Sequence, residues 1–225
     1  MALPAIAQAA PNLQPGSVPP ILAFTAVGER GGQEYGYSVN RAGDINGDGY
    51  GDVIVGAWGF DAPGMADAGK IYVYHGSANG LSPTPAYTAV GQMADAYFGF
   101  AVAPAGDVNG DSYGDVVVGS YRYDDTPVRG NAGKVYVFHG GPNGLTGTPA
   151  APAFSAVGET ANDWFSGSVA GAGDVNGDGY SDIIVAAESY AGGAGGRLPR
   201  QGVRVPRRAE WVDGHGGESG VQHGG

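Results

Sequence analysis

Asp44-Ile-Asn-Gly-Asp-Gly-Tyr-Gly-Asp52, Asp107-Val-Asn-Gly-Asp-Ser-Tyr-Gly-Asp115 and Asp174-Val-Asn-Gly-Asp-Gly-Tyr-Ser-Asp182 are three copies of one nine-residue pattern. Oxygen-bearing side chains recur at positions 1, 3, 5 and 9, which is how a short loop wraps a hard divalent cation such as calcium. The expected ligand side chains are Asp44, Asn46, Asp48 and Asp52; Asp107, Asn109, Asp111 and Asp115; and Asp174, Asn176, Asp178 and Asp182. Position 7, occupied by Tyr50, Tyr113 and Tyr180, would contribute its backbone carbonyl while its ring packs outside. The pattern therefore predicts about three Ca2+ ions, one per loop.

Two simpler readings are weaker. An EF-hand needs flanking helices and a glutamate at position 12; here that position is Val55, Val118 or Val185, inside an apolar β-branched run. Asp, Asn and Gly are also good turn formers in their own right, but turn chemistry does not keep four oxygen donors in register through three copies. The middle loop departs at Ser112, where the others have Gly49 and Gly179. If that position needs positive φ, serine costs about 1 kcal/mol, so the middle site is expected to bind more weakly. Dissociation constants of about 10⁻⁴–10⁻³ M, as in extracellular modules, are expected for these loops.

The surroundings of the loops repeat in phase. Thr25-Ala-Val-Gly28 returns as Thr88-Ala-Val-Gly91 and Ser155-Ala-Val-Gly158, at the steps of 63 and 67 residues that also separate the loops. Each copy is one supersecondary unit. It starts with an aromatic and small-residue stretch: Tyr35-Gly-Tyr-Ser-Val39, Phe98-Gly-Phe-Ala-Val102 or Phe165-Ser-Gly-Ser-Val169. The acidic loop follows, then a short buried strand containing Val53-Ile-Val55, Val116-Val-Val118 or Ile183-Ile-Val185. A glycine-rich turn leads to a strictly alternating strand, Lys70-Ile-Tyr-Val-Tyr-His-Gly76 or Lys134-Val-Tyr-Val-Phe-His-Gly140, with turn signals at Asn79-Gly80 and Asn143-Gly144. About four short strands fit per unit, and with 44 Gly and 15 Pro as punctuation no helical period is visible. Four strands per repeat of roughly 60 residues suggest the blade of a β-propeller.

Phe98-Gly99, Ala103-Pro104-Ala105-Gly106 and the acidic loop after them resemble the FG-GAP repeats of integrin α-subunit propellers and their bacterial relatives. The first copy, with Tyr35-Gly36 and Asn40-Arg-Ala-Gly43, and the third, with Phe165-Ser166, are looser. The resemblance implies an all-β chain of propeller blades of about four antiparallel strands, like the N-terminal part of integrin α, in an incomplete ring of about three blades. Propellers usually need about four to eight blades, so the chain is expected to be a fragment with an exposed blade edge open to pairing. Animal integrin propellers contain disulfides and this chain has no cysteine, which moves the resemblance towards the bacterial relatives.

Residues 1–21 are an Ala/Pro-rich lead-in whose Ala2-Leu-Pro-Ala-Ile-Ala-Gln-Ala9 looks like the cleavage end of a signal peptide, without its basic and long apolar parts. The repeats occupy 22–195, and 196–225 read as an irregular Gly/Arg-rich tail. Arg197, Arg200, Arg204, Arg207 and Arg208 crowd that tail, where the 67-residue step from Lys134 predicts the next alternating strand at 201. Read one nucleotide forward from Gln201, codons permitted by the sequence spell K-V-Y-V-F-H-G-A-P-S-G-L-T, close to Lys134–Thr146, and the Trp211-Val212 junction forces the glycine. A frameshift near 192–200 is the expectation, so Trp211, His215, His223 and the arginines carry no function.

Net charge is −11, and nine of the 22 acidic residues are loop aspartates, so metal binding and folding are expected to be coupled. Residues 1–195 lack the basic stripe that nucleic acid requires, and no run is long enough to span a membrane. His75 and His139 occupy equivalent strand ends, which favours a structural role, and no catalytic triad or phosphate loop is visible. The reading is a secreted or cell-surface, non-enzymatic, calcium-binding propeller for adhesion or protein recognition. The alternative is an accessory or carbohydrate-binding domain of a larger secreted enzyme. In that case Trp58, Phe60, Tyr121, Tyr123 and Trp164 would stack on a glycan ligand, rather than pack between blades.

Overall fold

The computed structural model describes residues 24–124, 126, 130–189 and the backbone of 202–204. The lead-in over 1–21 and most of the tail lie outside the described residues. Among those described, the chain is all-β with no helix. The first sheet has the order β1-β2-β3-β4, with β1 at Tyr35–Gly43, β2 at Asp52–Ala57, β3 at Lys70–Tyr74 and β4 at Tyr87–Val90. The second repeats it: β5 at Ala101–Gly106, β6 at Asp115–Ser120, β7 at Lys134–Phe138 and β8 at Phe154–Val157. The third joins β9 at Phe165–Gly173 and β10 at Asp182–Ala187 to β11 at Gly202–Arg204. All pairings between these strands are antiparallel, and an isolated parallel bridge ties Gly69 to Phe98. These are the blades expected from the repeat, stacked in an unclosed series.

The apolar runs become the seams between blades because successive side chains of a strand face opposite ways. In β6, Val116 and Val118 join Ile54, Ile71, Val73, Phe98, Tyr136 and Phe138 in the core shared with the first sheet. Val117, between them, joins Val135, Val137, Phe165, Ile183 and Val185 in the core shared with the third. The middle sheet is thus buried on both faces, which explains why its strands are continuously apolar rather than alternating with charges. Each fully buried Val or Ile contributes about 1.5–3 kcal/mol by leaving water.

Three local features depart from the simple repeat. The first strand of the first and third copies begins in the aromatic stretch but runs on to Gly43 and Gly173, because Asn40–Gly43 and Ala170–Gly173 continue the ladder against β2 and β10. Ser166, which breaks the Phe-Gly signature in the third copy, adopts φ +71°, close to the +82° of Gly99. Its hydroxyl bonds the Lys134 carbonyl at 2.7 Å and accepts the Ser120 amide at 3.0 Å, offsetting the strain. In the tail expected to be irregular, Gly202–Arg204 forms a strand against β10.

Candidate metal centres

Each acidic loop joins the first strand of its blade to the second, so antiparallel topology puts all three at the same end of the blades. The position-1 carboxylates are held alike. Asp44 accepts the amides of Gly47 (2.8 Å), Asp48 (3.0 Å) and Gly49 (2.8 Å). Asp107 accepts Gly110, Asp111 and Ser112, and Asp174 accepts Gly177, Asp178 and Gly179, all within 3.1 Å. Positions 3 and 5 then interlock, with Asn46 Nδ2 donating to Asp48 at 2.9 Å and Asn109 Nδ2 to Asp111 at 2.9 Å. The Tyr50 amide holds the Asp48 carboxyl below the usual carboxylate range, and the Gly179 amide does the same for Asp174. The position after the second Asp does carry positive φ, at +86° in Gly49, +89° in Gly179 and +72° in Ser112.

Position 9 behaves differently. Asp52, Asp115 and Asp182 are all buried, and the first two span the base of their loops. Asp52 accepts the amides of Ile45 and Gly76, both at 2.8 Å; Asp115 accepts those of Val108 at 2.7 Å and Gly140 at 2.9 Å. Burial pushes both carboxyls up, Asp115 to about 7. Asp182 accepts the Val175 amide at 2.9 Å. Among the described residues no three His, Cys, Asp or Glu side chains converge as a ready metal cluster. The donor set nevertheless suits calcium, being all hard oxygen: two carboxylates and an Asn amide oxygen per loop mouth, the position-7 carbonyl, and the position-9 carboxylate, whose oxygens keep further lone pairs.

The tyrosines at position 7 pack in a way the sequence does not announce. Tyr113 lies against Gly47 of the preceding loop, where an added Cβ would stand 2.6 Å from its ring, and Tyr180 lies against Gly110 at 2.5 Å. Tyr50, in the first loop, is 44% exposed. The Gly114 amide donates to the Asp44 carbonyl and the Ser181 amide to the Asp107 carbonyl, both at 2.8 Å. Each loop is therefore fastened to its predecessor. His75 and His139 sit at this end too; the Nδ1 of His75 is 3.4 Å from Asn46 Nδ2, and burial depresses His139.

At the opposite end, the loops after the second strands meet the turns that enter the next blade, and the aromatics gather there. Trp58 packs on Tyr97 (centroids 4.6 Å apart), Phe100 on Tyr121 (4.4 Å) and Tyr121 on Trp164 (6.3 Å). Phe60 and Tyr123 cover the Nζ of Lys70 and Lys134. Of the five aromatics expected to be exposed, only Trp164 is, at 40%; the others follow the alternative of packing within and between blades. A cleft of about 380 Å³ lies between the second and third blades, lined by Phe100, Tyr121, Trp164, Arg122, Asn131 and Glu188 among others. Arg122 bonds Asn131 and Tyr97, and Asn131 bonds Asn162.

The family profile described as FG-GAP repeat matches residues 35–74, 98–138 and 166–197. The first two matches reach the ends of β3 and β7, whereas the third stops before β11. Integrin alpha-6 of Gallus gallus is 36% identical over 162 residues, covering 70% of this chain and 14% of that protein. Integrin alpha-PS2 of Drosophila melanogaster is 33% identical over 175 residues, covering 74% and 12%. Integrin alpha-6 of Homo sapiens is 45% identical over 86 residues, covering 38% and 7%. The chain thus spans a small fraction of the length of the relatives it matches.

Proposed function

The chain belongs to the FG-GAP repeat family, and on that premise we propose that it is a calcium-binding, non-catalytic propeller segment of an extracellular protein that recognises a protein ligand, as in adhesion. The observation that supports the calcium reading is the identical winding of all three loops around their position-1 carboxylates, which keeps the oxygen-bearing side chains of each copy on one short turn. Calcium then relieves the repulsion among nine carboxylates and couples to folding. The rigidified blades present their opposite loops to the partner. No helix among the described residues is long and apolar enough to cross a membrane.

Calorimetric titration of chelator-stripped protein with calcium tests this. The expected result is binding of up to about three ions with dissociation constants of about 10⁻⁴–10⁻³ M, accompanied by a higher melting temperature. No heat and an unchanged melt at about 10 mM calcium, well above that affinity range, would remove the calcium reading.

One observation favours the second reading, a glycan-binding accessory domain: the cleft beside exposed Trp164 combines aromatic faces with Asn, Arg and Glu side chains, the mixture that binds sugar rings. A glycan array at saturating calcium separates the two. Signal lost in Trp164→Ala supports the glycan, and a blank array leaves protein recognition.

A further inference from the structure

The third copy is where the chain departs from its own repeat, and the departure can be read codon by codon. The frame shifted one nucleotide forward does not stop matching at Thr146. Over residues 211–225 it permits G-L-T-G-T-A-A-N-P-A-F-S-T-V, against Gly144-Leu-Thr-Gly-Thr-Pro-Ala-Ala-Pro-Ala-Phe-Ser-Ala-Val157 in the second copy. The offset stays at 67 residues throughout, the step that separates Asp107 from Asp174. Most shifted codons have only their middle base free, which leaves a handful of residue types out of twenty. Agreement sustained through a third strand, a turn and a fourth strand is not what such restricted choice gives by accident.

The described residues show what those shifted positions have to do. In the first two copies the glycine after the third strand donates its amide to the position-9 aspartate, Gly76 to Asp52 and Gly140 to Asp115; the shifted frame puts a glycine there for Asp182. Lys70 and Tyr72 both bond Glu29, and Lys134 and Tyr136 both bond Gln92 at 3.1 Å. Glu159 holds the same place after Ser155-Ala-Val-Gly158, and the shifted frame supplies the Lys and Tyr at the same spacing. Gly144 makes room for the His75 ring of the preceding blade, which a Cβ would approach to 2.9 Å. The shifted codon at the corresponding place, for the seat of His139, is GGG with no free base, whereas the written residue is Trp211. The backbone agrees on location: Gly202–Arg204 fills the third-strand slot, but Ala187 pairs Gly202 where a 67-residue step from the Ser120–Lys134 pair would give Gln201.

We infer that residues 201–225 are an out-of-frame reading of the third copy's own third and fourth strands. In the intact frame the third acidic loop is closed by the same His-Gly corner and Lys-Tyr pair as the first two. The inference uses backbone capping and packing, so it stands apart from the calcium reading.

Sequencing the gene tests it directly. The expected codons are CAA for Gln201, GGT for Gly202, GTA for Val203, CGT for Arg204, GTT for Val205, CCA for Pro206, CGG for Arg207 and GTT for Val212. A stop codon in the shifted frame, or other residues at its Tyr, His and first Gly positions, overturns the inference. A second measurement compares the given chain with the frame-restored chain in chelator. The restored chain is expected to melt at least about 4 °C higher, and equal melting would overturn the structural half of the proposal.

Discussion

The second and third acidic loops share nearly the same nine residues, yet among the described residues only the second has its position-9 carboxylate capped from beyond a third strand. Both position-9 carboxylates are buried, but Asp115 accepts two backbone amides while Asp182 accepts one among the described residues. What the loop's own sequence provides is therefore its mouth: the position-1 carboxylate and its amides recur unchanged in both. What it does not provide is the base, which comes from a strand more than twenty residues further on. The difference teaches that a repeat motif can look complete in sequence while its anchoring depends on the next strand.

The sharpest way to break this comparison is to remove the anchor. Asp115→Ala leaves two buried amides unpaired and is expected to cost about 3 kcal/mol, against about 1–2 kcal/mol for Asp182→Ala, by the penalty for orphaned buried donors. Urea unfolding in chelator measures both, and equal losses would mean that the base of the third loop is already closed. Next in size is the loop-to-loop contact. Gly110→Ala meets the Tyr180 ring and carries φ +79°, whereas Gly177→Ala has the same φ problem with nothing nearby. The expected losses are about 2 and about 1 kcal/mol, the common part being the left-handed penalty; thermal unfolding of the pair reads the difference.

Ser112→Gly sharpens the comparison from the other side. Relieving serine at φ +72° is expected to stabilise the middle loop by about 1 kcal/mol and to tighten its calcium affinity several-fold. An affinity unchanged by calorimetry would separate backbone strain from metal binding. The smallest effect concerns the pair at the opposite end. Lys70 holds Glu29 below its ordinary range, so this pair's stabilisation is present above the unfolded carboxyl value and is lost as pH falls through the lower folded one. Glu29 is largely exposed, and screening keeps the effect under about 1 kcal/mol. Glu29→Gln should flatten the urea midpoint between about pH 3 and 6, and Gln92→Glu should add a matching slope, the window being set by ordinary glutamate titration.

Much of this was legible from local pattern. Val116-Val-Val118 and Lys134–Phe138 are strands because β-branched and alternating residues leave no other economical burial, and the positive φ at Ser112 follows from its glycine counterparts. What could not be read depends on contacts between distant residues. Nothing near Asp52 or Asp115 says that position 9 turns inward to cap Gly76 and Gly140. Nothing near Tyr113 marks Gly47 of the previous copy as its seat. Trp58 and Tyr121 read as loop aromatics free to stack on a ligand because their partners Tyr97 and Trp164 belong to the entry of the next blade.

The fastening of each acidic loop to the one before, through Gly114 to Asp44 and Ser181 to Asp107, also sets how the molecule carries mechanical load. Neighbouring loops are joined by one amide–carbonyl bond flanked by a tyrosine ring, and the blades behind them by a shared apolar core and further bonds such as Gly141 N–H to the Ile45 carbonyl at 2.9 Å. In an array of nearest-neighbour links the middle blade is gripped on both faces, so loosening either neighbour strips one of its two seams and leaves the other in place.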